Sequence, residues 1–236
     1  MLGHTFDRYV IDAAMGDRVF HAHDRYFASR RYSITVSAEV CARFARAASR
    51  LTHPNIVGVL DTGTTLGLSY LVMETVEGER LSTLLERGGP MAPERVIRIA
   101  QQLCDALDHA HRQSLLLGNV APANIFIGDR DRTCIVPMPV GCTTPEQLRG
   151  EPIDHRIDLY GLGATMFEML SGGIPPFGDD ASKASYEAPS IITVAPSVPP
   201  ALVSVVGRLL ASDPAARPRS ALAVVQALEG ALQAPR

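Results

Sequence analysis

The sequence predicts an α+β chain folded as two lobes, a small strand-rich one followed by a larger helical one. Three observations predict it. Short segments of β-branched and aromatic residues fill the first third of the chain, apolar stripes with helical spacing fill the rest, and the change falls at Glu77-Gly78. The 236 residues divide there into 1–77 and 78–236, enough chain to bury a substantial common core. No internal repeat breaks the order.

In the first lobe, Tyr9–Ile11, Arg18–His23 and Tyr32–Val36 read as strands. Ala38–Leu51, rich in alanine and arginine, reads as one helix. Ile56–Leu60 and Leu68–Glu74 read as further strands, with Asp61-Thr-Gly-Thr-Thr between them as a turn. In the second lobe, Leu81–Arg87 makes a short helix stopped by Gly88-Gly89-Pro90. Pro93 and Glu94 open a long helix that runs to Gln113, with Val96, Ile97, Ala100, Leu103, Cys104 and Leu107 along one face. Asn124–Ile127 and Thr133–Val136 flank Gly128-Asp-Arg-Asp-Arg as a hairpin. Ile157–Leu170 is an apolar helix ended by Ser171-Gly172-Gly173. Residues 178–200 read as loop with one helical turn at most, and Ala201–Ala211 and Ser220–Leu232 as closing helices.

Composition excludes several classes of function. The formal net charge is −3, which argues against a nucleic-acid binder driven by counterion release. A 46% hydrophobic content is too high for a disordered chain. The four cysteines, Cys41, Cys104, Cys134 and Cys142, form no CxxC pair and read as reduced thiols, which points to the cytoplasm. No secretory leader is legible at Met1–Asp7, and no run reaches the ~20 apolar residues that cross a bilayer. His21-x-His23 shares a face only on a strand and lacks a third metal ligand, while His109-x-His111 on a helix does not share a face. Of 22 Lys+Arg, Lys183 is the single lysine.

Several motifs then fall in register. His53-Pro-Asn-Ile-Val and Tyr70-Leu-Val-Met-Glu-Thr-Val-Glu-Gly resemble the turn after helix C and the hinge of bacterial, eukaryotic-like Ser/Thr protein kinases. Thr144-Pro-Glu-Gln-Leu-Arg-Gly resembles the end of their activation segment, Asp158-Leu-Tyr-Gly-Leu-Gly their helix F, and Asp213-Pro-Ala-Ala-Arg-Pro their last arginine motif. The resemblance covers nearly the whole chain. It implies a kinase-like fold, with an antiparallel sheet plus helix C in the N-lobe and a helical C-lobe.

Phosphoryl transfer needs a loop over the phosphates, a lysine, a Mg²⁺ carboxylate and a carboxylate that accepts the hydroxyl proton. The resemblance implies that each is degenerate. The glycine-rich loop maps to Asp12-Ala-Ala-Met-Gly-Asp, with one glycine. The lysine position is Thr35, with Arg30 and Arg31 the nearest cations, and the glutamate that would pair with that lysine is Phe44. The catalytic loop reads Leu117-Gly118-Asn119; Asn119 is neutral and cannot accept a proton as a carboxylate does. Ala121 stands in place of the loop lysine, and only Asn124, a second-metal ligand in the family, survives. Family spacing puts Pro137-Met138-Pro139 at the Mg²⁺ carboxylate, with no side-chain oxygen to offer. The activation loop is nearly deleted.

The retained residues are structural. Asp158 is expected to hold the catalytic-loop backbone, and Glu146 and Arg217 to pair, at a cost of about 3 kcal/mol when one partner is lost. Leu117 and Met138 are expected to continue an apolar stack through the core. Met73, Glu74, Val76, Asn124 and Phe126 are the residues the resemblance places around a nucleotide, with Phe126 either filling that pocket or serving as a core aromatic. Asp129 and Asp131 are candidates for a displaced metal site, against a plain solvated turn.

The expectation is a catalytically inactive kinase-like module that binds, scaffolds or regulates another protein, with neither ATP nor Mg²⁺ as a cofactor. Its partner would be an active kinase or a phosphothreonine-binding domain that reads Thr143 or Thr144. Two alternatives stay open: a sensor that binds nucleotide through the hinge without turnover, and a divergent kinase using the displaced acids.

Overall fold

The computed structural model describes residues 5–14, 19–27, 29–37, 42–65, 68–138, 144–178 and 187–233. The expectations placed on Lys183, Cys41, Cys142, Thr143, Pro139, residues 15–18 and residues 38–41 lie outside them. The first lobe is one antiparallel sheet of six strands: β1 (Thr5–Phe6), β2 (Tyr9–Ala14), β3 (Val19–Asp24), β4 (Arg31–Ser37), β5 (Val59–Thr65) and β6 (Leu68–Glu74). Their spatial order is β1-β2-β3-β4-β6-β5. Helix α1 (Ala42–Ala48) packs on β5, and its bounds fall inside the helix expected over 38–51.

Two sequence expectations are corrected here. Asp61–Thr65 is not a turn but most of β5, paired with β6 from Asp61↔Val72 to Thr65↔Leu68. Its polar residues suit an edge strand, one side of which faces water. Conversely, Ile56 does not start that strand. It makes a single parallel bridge to Ile135, and the Val57 amide donates to the Ile135 carbonyl at 2.9 Å. The segment after the His53 turn is thus stitched to the second lobe before it enters the sheet.

The sheet is curled. The Tyr9 hydroxyl on β2 donates to Asp61 on β5 at 2.8 Å, although the two strands are not neighbours in the sheet. Burial pushes the Tyr9 hydroxyl pKa up to about 12, so it stays a donor. Phe6, Ile11, Phe20, Ile34, Val36 and Val72 fill the resulting concavity.

The second lobe opens with a three-stranded sheet of β7 (Glu79–Arg80), β8 (Ile125–Ile127) and β9 (Thr133–Ile135). Its helices are α2 (Leu81–Gly88), α3 (Pro93–Arg112), α4 (Pro145–Leu148), α5 (Arg156–Ser171), α6 (Pro200–Leu209) and α7 (Ala221–Gln233). Pro93 enters α3 at its first turn, where the missing N–H costs nothing. Val96, Ile97, Ala100, Leu103, Cys104 and Leu107 are all buried, as their spacing predicts. Helix α5 is apolar on nearly every side because α3, α6 and the segment around Val120 surround it. At Gly163 a Cβ would come within 2.6 Å of the Leu209 side chain, so only glycine lets α6 approach this closely. One core runs from Phe44 and Met73 in the first lobe through Leu103 and Leu162 to Leu228. No helix among the described residues is long and apolar enough to cross a membrane.

Candidate functional site

The candidate site is the cleft under the sheet. Strand register decides which side chains face it. Directly opposed residues of antiparallel strands point to the same side. Val19 opposes Thr35, His21 opposes Ser33, and His23 opposes Arg31; Ser33 opposes Met73 and Thr35 opposes Leu71. Met73 and Leu71 belong to the core shared with α1, so Thr35, Ser33, His21 and His23 lie on that same inner face.

Thr35 is 2% exposed, and its hydroxyl has no hydrogen-bond partner. A buried hydroxyl without a partner costs about 1–3 kcal/mol. Phe44, from α1, is buried in the common core. The two arginines close in sequence, Arg30 and Arg31, are engaged elsewhere. Arg31 is bound to Asp12 at 2.6 Å, and Arg30 lies 5.1 Å from the centre of the Phe27 ring. Asp12 also meets His23 at 2.7 Å, making an Arg31–Asp12–His23 network on the sheet. A β-bulge at Asp12 aims this carboxylate at both partners. The sequence reading did not find that network, because it depends on cross-strand register.

The loop at the base of the cleft hangs from α5. Asp158, 1% exposed, accepts from the Leu117 amide at 3.0 Å and the Gly118 amide at 2.7 Å, and meets His111 at 2.8 Å. Gly118 has φ +75°, a conformation that other L-residues adopt only under strain. The Thr165 hydroxyl donates to the Val120 carbonyl at 3.0 Å. Asn119 and Ala121 are partly buried on this loop, and the Asn124 side-chain amide donates to the Asn119 carbonyl at 3.3 Å. The Asn124 carbonyl accepts from Val136, just before Pro137. Pro137 is buried, and the Met138 amide donates to the Leu117 carbonyl at 3.2 Å, so loop and Pro137-Met138 segment form one backbone-bonded unit. Leu117 is fully buried and Met138 is partly buried against the common core.

The other expected residues fall in different places. Met73 is buried beside Ser33 on the inner face. Phe126 sits on β8 in the common core, with the Arg80 guanidinium 5.6 Å from its ring centre, which favours the core-aromatic reading. Glu74 and Val76 line a separate recess together with Gly58 and Asp129, and none of Thr35, Met73, Asn119, Asn124, Phe126 and Pro137 lines it. The Asp131 carboxylate is paired with Arg95 at 2.9 Å and Arg98 at 3.2 Å. Among the described residues, no group of three His, Cys, Asp or Glu could hold a metal ion. Thr144 is fully buried and its hydroxyl donates to Gln147 at 3.0 Å, so as folded it is closed to a modifying enzyme. His109 stacks on His53 at 5.1 Å while His111 turns to Asp158, consistent with their different faces.

Glu146 and Arg217 meet in a two-pronged ion pair with both bonds at 2.7 Å, and the guanidinium lies 4.7 Å from the Tyr160 ring centre. Both residues are almost fully buried. The Arg217 side chain also donates to the Ala211 and Arg156 carbonyls, so its desolvated charge is well satisfied. Glu168 on α5 is different: burial alone pushes its carboxyl up to about 7.

Comparison with known proteins follows the same outline. A protein kinase domain model matches residues 30–136. The Ser/Thr protein kinase PknB of Mycolicibacterium smegmatis is 34% identical over 73% of this chain, and PrkC of Bacillus subtilis is 31% identical over 73%. The Ser/Thr protein kinase pkn3 of Myxococcus xanthus is 30% identical over 96% of it. The chain spans 32%, 30% and 50% of the length of these three relatives. The crystal structure of the Mycobacterium tuberculosis PknI kinase domain superposes with a TM-score of 0.84 at 26% identity, covering 99% of both chains.

Proposed function

This chain belongs to the protein kinase family as a relative of the bacterial Ser/Thr kinases, and on that premise we propose that it is a pseudokinase domain: a kinase fold without phosphoryl transfer that works by binding another protein. One observation carries the reading. Thr35, where the family resemblance calls for an ammonium group, is a buried neutral side chain, and no lysine precedes residue 183 to take over its role. A triphosphate brought under this sheet meets no cation at that position, and Coulomb attraction for it is lost. Asn119 and Pro137 add the lack of a proton acceptor and of a metal carboxylate at their positions. The short Pro137–Thr144 connection leaves little platform for a peptide substrate. What remains is a two-lobed surface, and protein binding is the use that such a surface retains.

Thermal unfolding with and without ATP and Mg²⁺ tests the reading. A ligand present at a hundred times its Kd stabilises the fold by about 2.7 kcal/mol. The expected result is no shift. A shift of that size without turnover supports the nucleotide-sensor alternative instead. Transfer of radiolabelled phosphate that is lost on Asp129→Asn overturns the pseudokinase reading in favour of a divergent kinase.

A further inference from the structure

A half-open recess of about 1150 Å³ lies behind the hinge, between the start of β5, the hinge residues 74–79 and the β8–β9 turn. Three features of it point to one kind of ligand. First, its rim is acidic. Glu74, Glu77 and Asp129 are exposed, and among the described residues none of their carboxylates has a bonding partner. The cations that could balance them are engaged elsewhere: Arg95 is held by Asp131, and His53 faces Asp105 at 3.4 Å. Glu79, also on the lining, is taken by Arg87 at 2.8 Å, which leaves Arg132 to oppose the other three carboxylates.

Second, part of its wall is formed by exposed aliphatic side chains. Register slips between Val59 and Asp61, so Leu60 is the extra residue of a β-bulge and is left 50% exposed. Bulges re-aim side chains, and here the bulge turns a leucine outward at the recess. Leu84 on α2 lines the same recess, partly exposed. Third, β5 is the outer strand of the sheet, so the recess runs beside an open sheet edge.

We propose that this recess docks an extended segment of a partner protein in which arginine or lysine residues flank one aliphatic residue. The cations meet Glu74, Glu77 and Asp129, while the aliphatic side chain covers Leu60 and Leu84. A wide, polar-rimmed trough suits an extended chain better than an enclosed small molecule. The proposal deepens the protein-binding reading and rests on it, but it does not depend on whether the cleft binds nucleotide.

Fluorescence anisotropy with a labelled Gly-Arg-Arg-Leu-Arg-Gly peptide tests it. The folded chain binds this peptide saturably, and binding weakens as salt rises. The double variant Glu77→Lys/Asp129→Lys weakens it about tenfold or more, and Leu60→Ser weakens it several-fold. Gly-Arg-Arg-Ser-Arg-Gly binds less well than the leucine peptide, and Gly-Glu-Glu-Leu-Glu-Gly does not bind. All changes are at exposed positions, and circular dichroism confirms that each variant is folded. Absence of saturable binding overturns the proposal, as does equal binding of the acidic peptide or indifference to the double variant. A dimer in sedimentation that the same double variant disperses also overturns it, because the occupant is then a second copy. An ATP-dependent thermal shift in the same preparation counts against the cleft reading alone, so the two failures are told apart.

Discussion

The cleft and the base of the large lobe handle charge in opposite ways. At the base, two sets of buried charge are kept and paired: Asp158 takes two backbone amides and His111, and Arg217 grips Glu146 with two bonds. In the cleft, the positions where the family resemblance implies charge hold the neutral residues Thr35, Phe44, Asn119 and Pro137. The difference separates two jobs that kinase charges perform. Those that hold backbone in place stabilise the fold whether or not chemistry occurs. Those that hold phosphate and metal are a burden when no ligand comes, because an unpaired buried charge is costly. Buried neutral side chains such as Thr35 and Phe44 leave no unpaired charge in the core.

The contrast breaks most visibly at the base. Arg217→Met leaves Glu146 buried and unpaired, and is expected to cost about 3–5 kcal/mol in denaturant unfolding. The double variant Glu146→Met/Arg217→Met recovers most of that loss, because no charge is then stranded. Asp158→Ala strands two amides and is expected to cost about 3 kcal/mol, with Asp158→Asn milder since it keeps one acceptor oxygen. If either single variant unfolds like the parent, the base is not the anchor described.

In the cleft the direction reverses. Thr35→Lys, which installs the residue the family resemblance implies, is expected to destabilise by about 2–4 kcal/mol, since the position is only 2% exposed and an ammonium there would be desolvated. It also produces no ATP-dependent shift by itself. Thr35→Val removes the unpartnered hydroxyl and is expected to stabilise by about 1 kcal/mol. A destabilised Thr35→Val would mean that the hydroxyl has a partner in solution.

Glu168 gives a smaller effect with a defined pH window. Its carboxyl ionises near 7 in the folded chain and near the ordinary 4.5 when unfolded. Between these values the unfolded chain holds fewer protons than the folded one, so stability falls as pH rises from about 4.5 to 7 and levels off above. Glu168→Gln removes that slope and is expected to gain about 1 kcal/mol at neutral pH, after allowance for solvent screening. Urea midpoints of the two proteins at acid and neutral pH measure it; parallel curves reject it.

Much of the fold was legible locally. The α3 stripe, Pro93 at its start and the largely apolar α5 each rest on residues within a few positions of one another. Asp61–Thr65 was misread because its polar, glycine-containing composition matches a turn, while its real determinant is the partner strand Leu68–Val72. Asp131 was open between ligand and turn because its two arginines lie far back in the chain on α3. The Asp12–His23–Arg31 network and the bulged Leu60 had no local signal, since a bulge exists only relative to the opposite strand.

The amino-acid order by itself determined which charges are missing: no lysine before residue 183, an asparagine at 119, prolines at 137 and 139. Side-chain chemistry is a property of the residue and survives any arrangement of the chain. The tertiary structure alone decided where the surviving charges go and which are left without partners. Pairing is a matter of distance in space, and contacts such as Arg31–Asp12, Tyr9–Asp61 and Arg95–Asp131 join residues that only the folded chain brings together.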